Sequence, residues 1–208
     1  MSPGGEEPEF PEDPDPEIKK QFANQLTMTI LILEGIVGLI GLGGIYGSEL
    51  DWEVLFSFEP FSIGVGLITG ILMFLTHVIL IFPGGEKNPL YRLIYRPFAE
   101  ALLDKFKWFS LEDIVFVSVM SGLAEEILFR GWIQTELGII VASVLFGLIH
   151  IWGEKGIPYG IYAIVMGFAF GGIYEYTGTL WAPIIAHVIN NVFGLLSIKL
   201  NLTPELQT

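Results

Sequence analysis

The stretch LTMTILILEGIVGLIGLGGIYG, residues 26–47, contains a single charged residue, Glu34. A helix needs about 20 predominantly apolar residues to cross the hydrocarbon core of a bilayer. Similar apolar stretches follow at 61–82, 112–131, 137–152, 157–176 and 179–199. Because backbone polar groups inside lipid must be hydrogen-bonded within the protein, we expect these stretches to be helices and not strands. The sequence therefore predicts an all-α fold, a polytopic transmembrane helical bundle of about six spans.

The overall composition agrees with a membrane protein. Of the 208 residues, 52% are hydrophobic and 16% are charged, whereas about a quarter of the residues in a soluble domain are charged. The chain has no cysteine, which excludes disulfides, thiol nucleophiles and Cys-ligated metal centres. No strongly basic face is visible, so membrane lipid is the expected partner and nucleic acid is not.

The N-terminal segment differs from the rest of the chain. Acidic residues alternate with prolines at its start, and the acidic residues are Glu6, Glu7, Glu9, Glu12, Asp13, Asp15 and Glu17. Such a segment buries little apolar surface, so residues 1–20 are predicted to be a disordered tail. Residues 21–200 are then expected to form one transmembrane domain.

The basic residues are unevenly placed between the predicted spans. Residues 83–110 contain Lys87, Arg92, Arg96, Lys105 and Lys107, whereas residues 48–60 contain acidic residues and no basic ones. The positive-inside rule places 83–110 in the cytoplasm, and both termini then also lie there, in a cell or inner membrane. Segment 90–110 mixes aromatic and charged residues, which fits either an interfacial helix or an ordinary connecting loop.

Charged residues inside apolar spans are candidates for function, because inserting them into lipid costs a few kcal/mol each. The stretch AEEILFRG, residues 124–131, carries three of them. Glu126 and Arg130 are four residues apart on one helical face, which predicts an ion pair. Glu125 points about 100° away around the helix, so it is free to act as a base.

Two later stretches repeat this same-face spacing. Phe146 and His150 share a face in FGLIH, and His187 and Asn191 share one in HVINN. Taken singly, a histidine at a helix end is more often structural, and amide or imidazole groups also hold helices together in membranes.

Glu34 and His77 lie in the first two spans and have no patterned companion. We expect structural hydrogen bonds for both of them.

Together, these polar residues contain what peptide hydrolysis requires. A base must activate water, and hydrogen-bond donors must stabilise the oxyanion that develops. Glu125 and His150 could bind and deprotonate the water, while His187 and Asn191 could donate to the carbonyl oxygen. This interpretation predicts a membrane-embedded endopeptidase that needs no metal or cofactor.

Two other interpretations stay open at this point. Glu125, His150 and His187 could instead bind a metal as a His₂Glu ligand set, which predicts a metal-dependent membrane hydrolase. The chain could also be a non-catalytic immunity or scaffold protein whose polar cluster only joins helices.

Other classes of membrane protease fit less well. A site-2-type zinc protease needs His-Glu-x-x-His, which the sequence lacks. A presenilin-like aspartyl protease needs two aspartates within spans, but Asp51, Asp104 and Asp113 lie outside the apolar spans or at the start of one. A rhomboid-like serine protease uses Gly-x-Ser-Gly, and the Ser121-Gly122 pair lacks the leading glycine.

The three motifs, Glu-Glu-x-x-x-Arg, Phe-x-x-x-His and His-x-x-x-Asn, occur in this order on successive apolar segments between residues 111 and 195. This pattern resembles the CAAX prenyl protease type II family, also called CPBP or ABI, whose members are described as all-helical intramembrane glutamic proteases.

The resemblance implies that Glu125 and His150 activate water and that His187 and Asn191 stabilise the oxyanion. Glu126, Arg130 and Phe146 are implied to support the site. The resemblance also implies a peptide or protein substrate. Eukaryotic members remove a C-terminal tripeptide from prenylated proteins, and bacterial members are linked to bacteriocin maturation, self-immunity and peptide processing.

Overall fold

The computed structural model describes residues 15–81, 87–97, 106–151 and 153–200. The long helices in these ranges are α1 (Pro16–Gly47), α2 (Pro60–Ile81), α3 (Leu111–Glu126), α4 (Thr135–Ile149), α5 (Ile157–Thr177) and α6 (Trp181–Lys199). Shorter elements are the turn Trp52–Leu55, the π-helical segments Tyr91–Tyr95 and Ile127–Gln134, and the 3₁₀ turn Glu154–Gly156. None of the described residues is in a β-strand. The predicted all-α fold is therefore confirmed.

Helix α1 begins earlier than the sequence predicted. Asp15 caps its first turn by accepting a hydrogen bond from the backbone N–H of Glu17 at 2.8 Å, and Pro16 follows at the first helical position. Residues 16–20 are thus helical, which corrects the predicted end of the tail at residue 20. Residues 1–14 lie outside the described residues, so the disordered tail stays a prediction.

Four helical runs in the described ranges are long and apolar enough to cross a membrane, and α2 contributes a shorter apolar stretch, Pro60–Thr76. The four runs are Pro16–Gly47, Leu111–Ile149, Ile157–Thr177 and Trp181–Lys199. Many of their outward side chains, such as Leu39, Ile68 and Ile140, are apolar yet exposed, as lipid-facing side chains must be. The chain is an integral membrane protein, but the count of about six separate spans needs correction.

The predicted spans 112–131 and 137–152 are not separate, because both belong to one helical run, Leu111–Ile149. This run is bent at Gly138, whose φ of 83° and ψ of 163° are non-helical. A residue with a side chain rarely adopts this conformation, so glycine permits the bend. The two predicted spans are therefore joined without a loop.

Contacts with α5 show that the chain reverses direction at this bend. The side chains of Arg130 and Gln134 donate to the carbonyls of Gly167 and Gly171 at 3.1 and 3.0 Å, so this segment runs parallel to α5. After the bend, Ser143 packs against Gly167 again, so the second arm runs antiparallel to α5. The arm from 139 to 149 is only about 16 Å long and returns part of the way across the core.

Helix α1 packs alongside α3 in parallel. The hydroxyl of Thr27 donates to Asp113 at 3.3 Å, a separation of 86 residues along the chain. Gly38 lies against Ala124 with the same separation, and Gly41 approaches the backbone of the π-helical segment that follows α3. Small residues at these points allow the close helix contact that is common in membranes.

Helix α6 completes the fold by packing against α2, α3 and α5. The rings of Phe74 on α2 and Phe193 on α6 stack at 3.9 Å between centroids. At the end of α6, the Nζ of Lys199 donates to the carbonyl of Phe109 at 2.6 Å, just before α3 begins. Helices α3 and α6 are therefore antiparallel, and their middle sections face each other across the site described next.

Candidate active site

Glu125 lies in the last turn of α3, and the two oxygen atoms of its carboxyl group have different surroundings. Its Oε1 accepts a hydrogen bond of 3.0 Å from the hydroxyl of Ser121, one turn earlier. Its Oε2 is buried, has no hydrogen-bond partner among the described residues, and lies 3.9 Å from Nε2 of His150. This distance is too long for a direct hydrogen bond but suits a single bridging water.

His150 follows the last residue of α4, at the end of the returning arm. Its Nδ1 lies 2.6 Å from the carbonyl oxygen of Phe146. Since a carbonyl only accepts hydrogen bonds, Nδ1 carries the hydrogen, and in the neutral ring the Nε2 that faces Glu125 can accept a proton. The short arm places His150 at the depth of Glu125.

Glu126 accepts two hydrogen bonds through Oε1. Arg130 Nη1 donates at 2.9 Å, which is the ion pair predicted from the spacing, and His187 Nδ1 lies at 2.7 Å. Glu126 and Arg130 are fully buried and His187 is 4% exposed. The link from His187 to Glu126 joins α6 to α3 and was not predicted, because 61 residues separate the two positions.

The remaining nitrogen of His187 is Nε2. Because Nδ1 donates to the Glu126 carboxylate, Nε2 accepts hydrogen bonds in the neutral ring and donates only when the ring is doubly protonated. The ring also stacks on Phe170, with centroids 4.7 Å apart and planes at 14°. The orientation of His187 is therefore fixed on two sides.

The ring of Phe146 lies close to His150, His187 and Arg130. Its ring centroid is 4.7 Å from that of His150 and 5.8 Å from that of His187. The Arg130 guanidinium lies 4.6 Å from the same ring, within cation–π range. Phe146 thus contacts three of the polar residues that the sequence singled out.

Asn191 lies one turn after His187 on α6, and its Nδ2 is 3.4 Å from Ser121 Oγ. Glu125, His150, His187 and Asn191 all line one cavity of about 340 Å³ between the helices. Glu126 and Arg130 are not among the lining residues and support its wall from behind.

Sequence reasoning did not assign several polar residues of this cavity to the site, among them Ser121, Asn190 and Glu34. Ser121 could have been found, because it precedes Glu125 by four residues on the same face. Asn190 has a buried Oδ1 that no described residue bonds. Glu34 was expected to make structural hydrogen bonds, yet it lines the cavity. The side chain of His77 lies outside the described residues.

A metal site receives little support from this geometry. No three His, Asp or Glu side chains in the described ranges converge closely enough to hold a metal ion.

Comparison with known proteins confirms the resemblance over the part of the chain that forms the site. Residues 107–193 match the family model described as Type II CAAX prenyl endopeptidase Rce1-like. This range includes all seven residues of the three motifs. No solved structure matches the chain.

Two proteins of Bacillus subtilis (strain 168) are similar in sequence. "Uncharacterized protein YpbD" is 37% identical over 87 residues, which cover 41% of this chain and 46% of that protein. "Putative membrane peptidase YdiL" is 27% identical over 154 residues, which cover 68% of this chain and 60% of that protein. The chain thus spans about half of one relative and 60% of the other.

Proposed function

We propose that this chain is a membrane-embedded endopeptidase of the glutamic type, which hydrolyses a peptide bond without a metal ion. The observation that carries the proposal is the gap of 3.9 Å between Glu125 Oε2 and His150 Nε2 in a buried cavity. The match to a CAAX endopeptidase family and the name of the relative YdiL also favour a peptidase.

In this mechanism one water bridges Glu125 and His150. The Glu125 carboxylate takes one proton from the water. His150 Nε2 accepts a hydrogen bond from the second hydrogen of the water and so orients the water molecule. The resulting hydroxide forms a bond to the carbonyl carbon of the substrate. Collapse of the tetrahedral intermediate then breaks the C–N bond. The leaving nitrogen takes up a proton from a general acid, and Glu125 gives up the proton that it took from the water.

The oxyanion of this intermediate needs donors fixed in advance. His187 Nε2, in the doubly protonated ring, and Asn191 Nδ2 are the donors that we assign. Glu126 orients the His187 ring through the hydrogen bond at Nδ1, and Arg130 holds Glu126 in place. Phe146 keeps both histidine rings in position.

The cavity also indicates what kind of substrate enters. Apolar side chains such as Ile30, Phe74 and Phe193 line it beside the polar groups. This lining suits a peptide or protein segment that reaches the site from lipid, with or without a prenyl group.

The test is cleavage by detergent-purified protein of a farnesylated peptide and of the same peptide without the farnesyl group, followed by mass spectrometry. Glu125→Gln keeps the shape of the side chain but cannot act as a base, so cleavage should fall by about 10²–10⁴-fold. Glu53→Gln changes an exposed carboxylate and is the matched control.

Equal cleavage by wild type and Glu125→Gln would overturn the assignment of the base. Activity that disappears in chelator and returns with zinc would favour the metal-dependent hydrolase. Absence of cleavage, combined with an unchanged cellular function of Glu125→Gln, would favour the non-catalytic scaffold.

A further inference from the structure

Glu34 is a partly buried residue whose carboxyl group the mechanism above does not use. It lies in the middle of α1, a span that contains no other charged residue between 26 and 47. A charge in lipid costs a few kcal/mol and is seldom kept without a function. Glu34 lines the cavity, and its Oε2 is buried with no hydrogen-bond partner in the described part of the chain.

The packing of α1 on α3 explains why Glu34 faces this cavity. The contacts Thr27–Asp113 and Gly38–Ala124 both join residues that are 86 positions apart. The same register places Glu34 beside residues 120 and 121. Ser121, Glu125 and His187 line the same cavity as Glu34.

Two carboxyl groups in one apolar cavity rarely ionise together, because like charges repel strongly at low dielectric. One proton shared between the two carboxyl groups would remove this repulsion. Ser121 has a single hydroxyl hydrogen, which it donates to Glu125 at 3.0 Å. Asn191 Nδ2 donates to one lone pair of Ser121 at 3.4 Å, and the other lone pair can accept from the Glu34 carboxylic acid. This arrangement suits Glu125 as the base and Glu34 as the acid.

We propose that Glu34 is a second catalytic carboxyl group, which donates a proton to the leaving nitrogen of the substrate and exchanges protons with Glu125 through Ser121. This inference rests on the proposed peptidase function. It adds a catalytic residue that lies outside the matched range 107–193.

The protons balance over one turnover. Water gives one proton to Glu125, and its hydroxide adds to the carbonyl carbon. As the C–N bond breaks, the Glu34 carboxyl gives its proton to the nitrogen, which leaves as an amine. Glu125 then passes its proton to Ser121, whose own hydroxyl proton moves to Glu34. The cycle consumes one water and one peptide bond and restores both carboxyl groups.

Two substrates with different leaving groups test this role. One is a farnesylated peptide, and the other is its acyl half joined to p-nitrophenol as an ester. An amine leaves only after it is protonated, whereas nitrophenolate is a stable anion that needs no acid. Glu34→Gln should therefore lower peptide cleavage by about 10²-fold or more and change ester cleavage by less than about 3-fold.

Three variants separate this role from a structural one. Glu34→Asp keeps a carboxylic acid and should restore part of the peptide cleavage that Glu34→Gln loses. Glu125→Gln should lose cleavage of both substrates, since both reactions need the base. Glu53→Gln, the exposed control, should lose neither.

The proposal is overturned if Glu34→Gln cleaves the peptide as wild type does, or if it loses peptide and ester cleavage equally. Either result leaves the function of Glu125 intact. Wild-type levels of cleavage by Glu125→Gln would instead contradict the peptidase mechanism itself.

Discussion

At the scale of residues, the spacing of side chains within one helix was informative. Glu126 and Arg130 form their ion pair at 2.9 Å, and the Phe146 and His150 rings are in contact, as i,i+4 positions on one face should be. The contact of His187 with Glu126 joins different helices. Such contacts depend on helix packing, which local spacing does not encode.

The buried ion pair leads to a prediction about stability. Arg130→Met removes a fully buried cation and leaves the Glu126 carboxylate with His187 as its remaining described partner. Breaking one side of a buried pair typically costs about 3–5 kcal/mol. We therefore expect a clear decrease in the thermal unfolding midpoint in detergent, whereas Arg92→Met, at an exposed position, should change it little.

A double variant checks the physical reason. Adding Glu126→Gln to Arg130→Met removes the unpaired charge, so the pair of changes should destabilise less than the sum of the single changes. Additive effects would show that charge burial is not the cause.

At the scale of elements, the sequence predicted the helices but not the bend at Gly138. The span 137–152 has 16 residues, fewer than the roughly 20 that a membrane crossing needs. The observed reversal at Gly138 explains both the short length and the position of His150 beside Glu125. A glycine in an apolar run is compatible with a straight helix, so periodicity alone could not indicate the turn.

The bend leads to a prediction about Gly138→Ala. A side chain at φ 83° and ψ 163° is strained, at a cost of about 1–3 kcal/mol, even though the space around this glycine is open. We expect lower thermal stability and weaker peptide cleavage, because the arm that carries His150 is displaced. Gly43→Ala is the control, since Gly43 is helical and its surroundings are equally open. Equal behaviour of the two variants would contradict this role for Gly138.

At the scale of the whole molecule, the packing brings charged segments together on two opposite ends. Lys199 contacts Phe109, so the end of α6 lies beside the start of α3. The start of α6 lies at the other end, where the backbone N–H of Leu180 donates to the carbonyl of Leu55 at 2.9 Å. Lys107, just before α3, and the acidic turn at 48–60 therefore lie on opposite ends of the bundle, which agrees with the charge pattern that predicted the topology.

This arrangement makes the orientation testable, because the chain has no cysteine and a single one can be introduced as a label site. Glu53 and Lys87 are both exposed and belong to the acidic and basic ends. If the basic end is cytoplasmic, a membrane-impermeant maleimide should label Glu53→Cys in intact cells and Lys87→Cys only after lysis. The reverse pattern would place the termini outside the cell. It would also mean that the basic residues at 83–110 do not set the orientation.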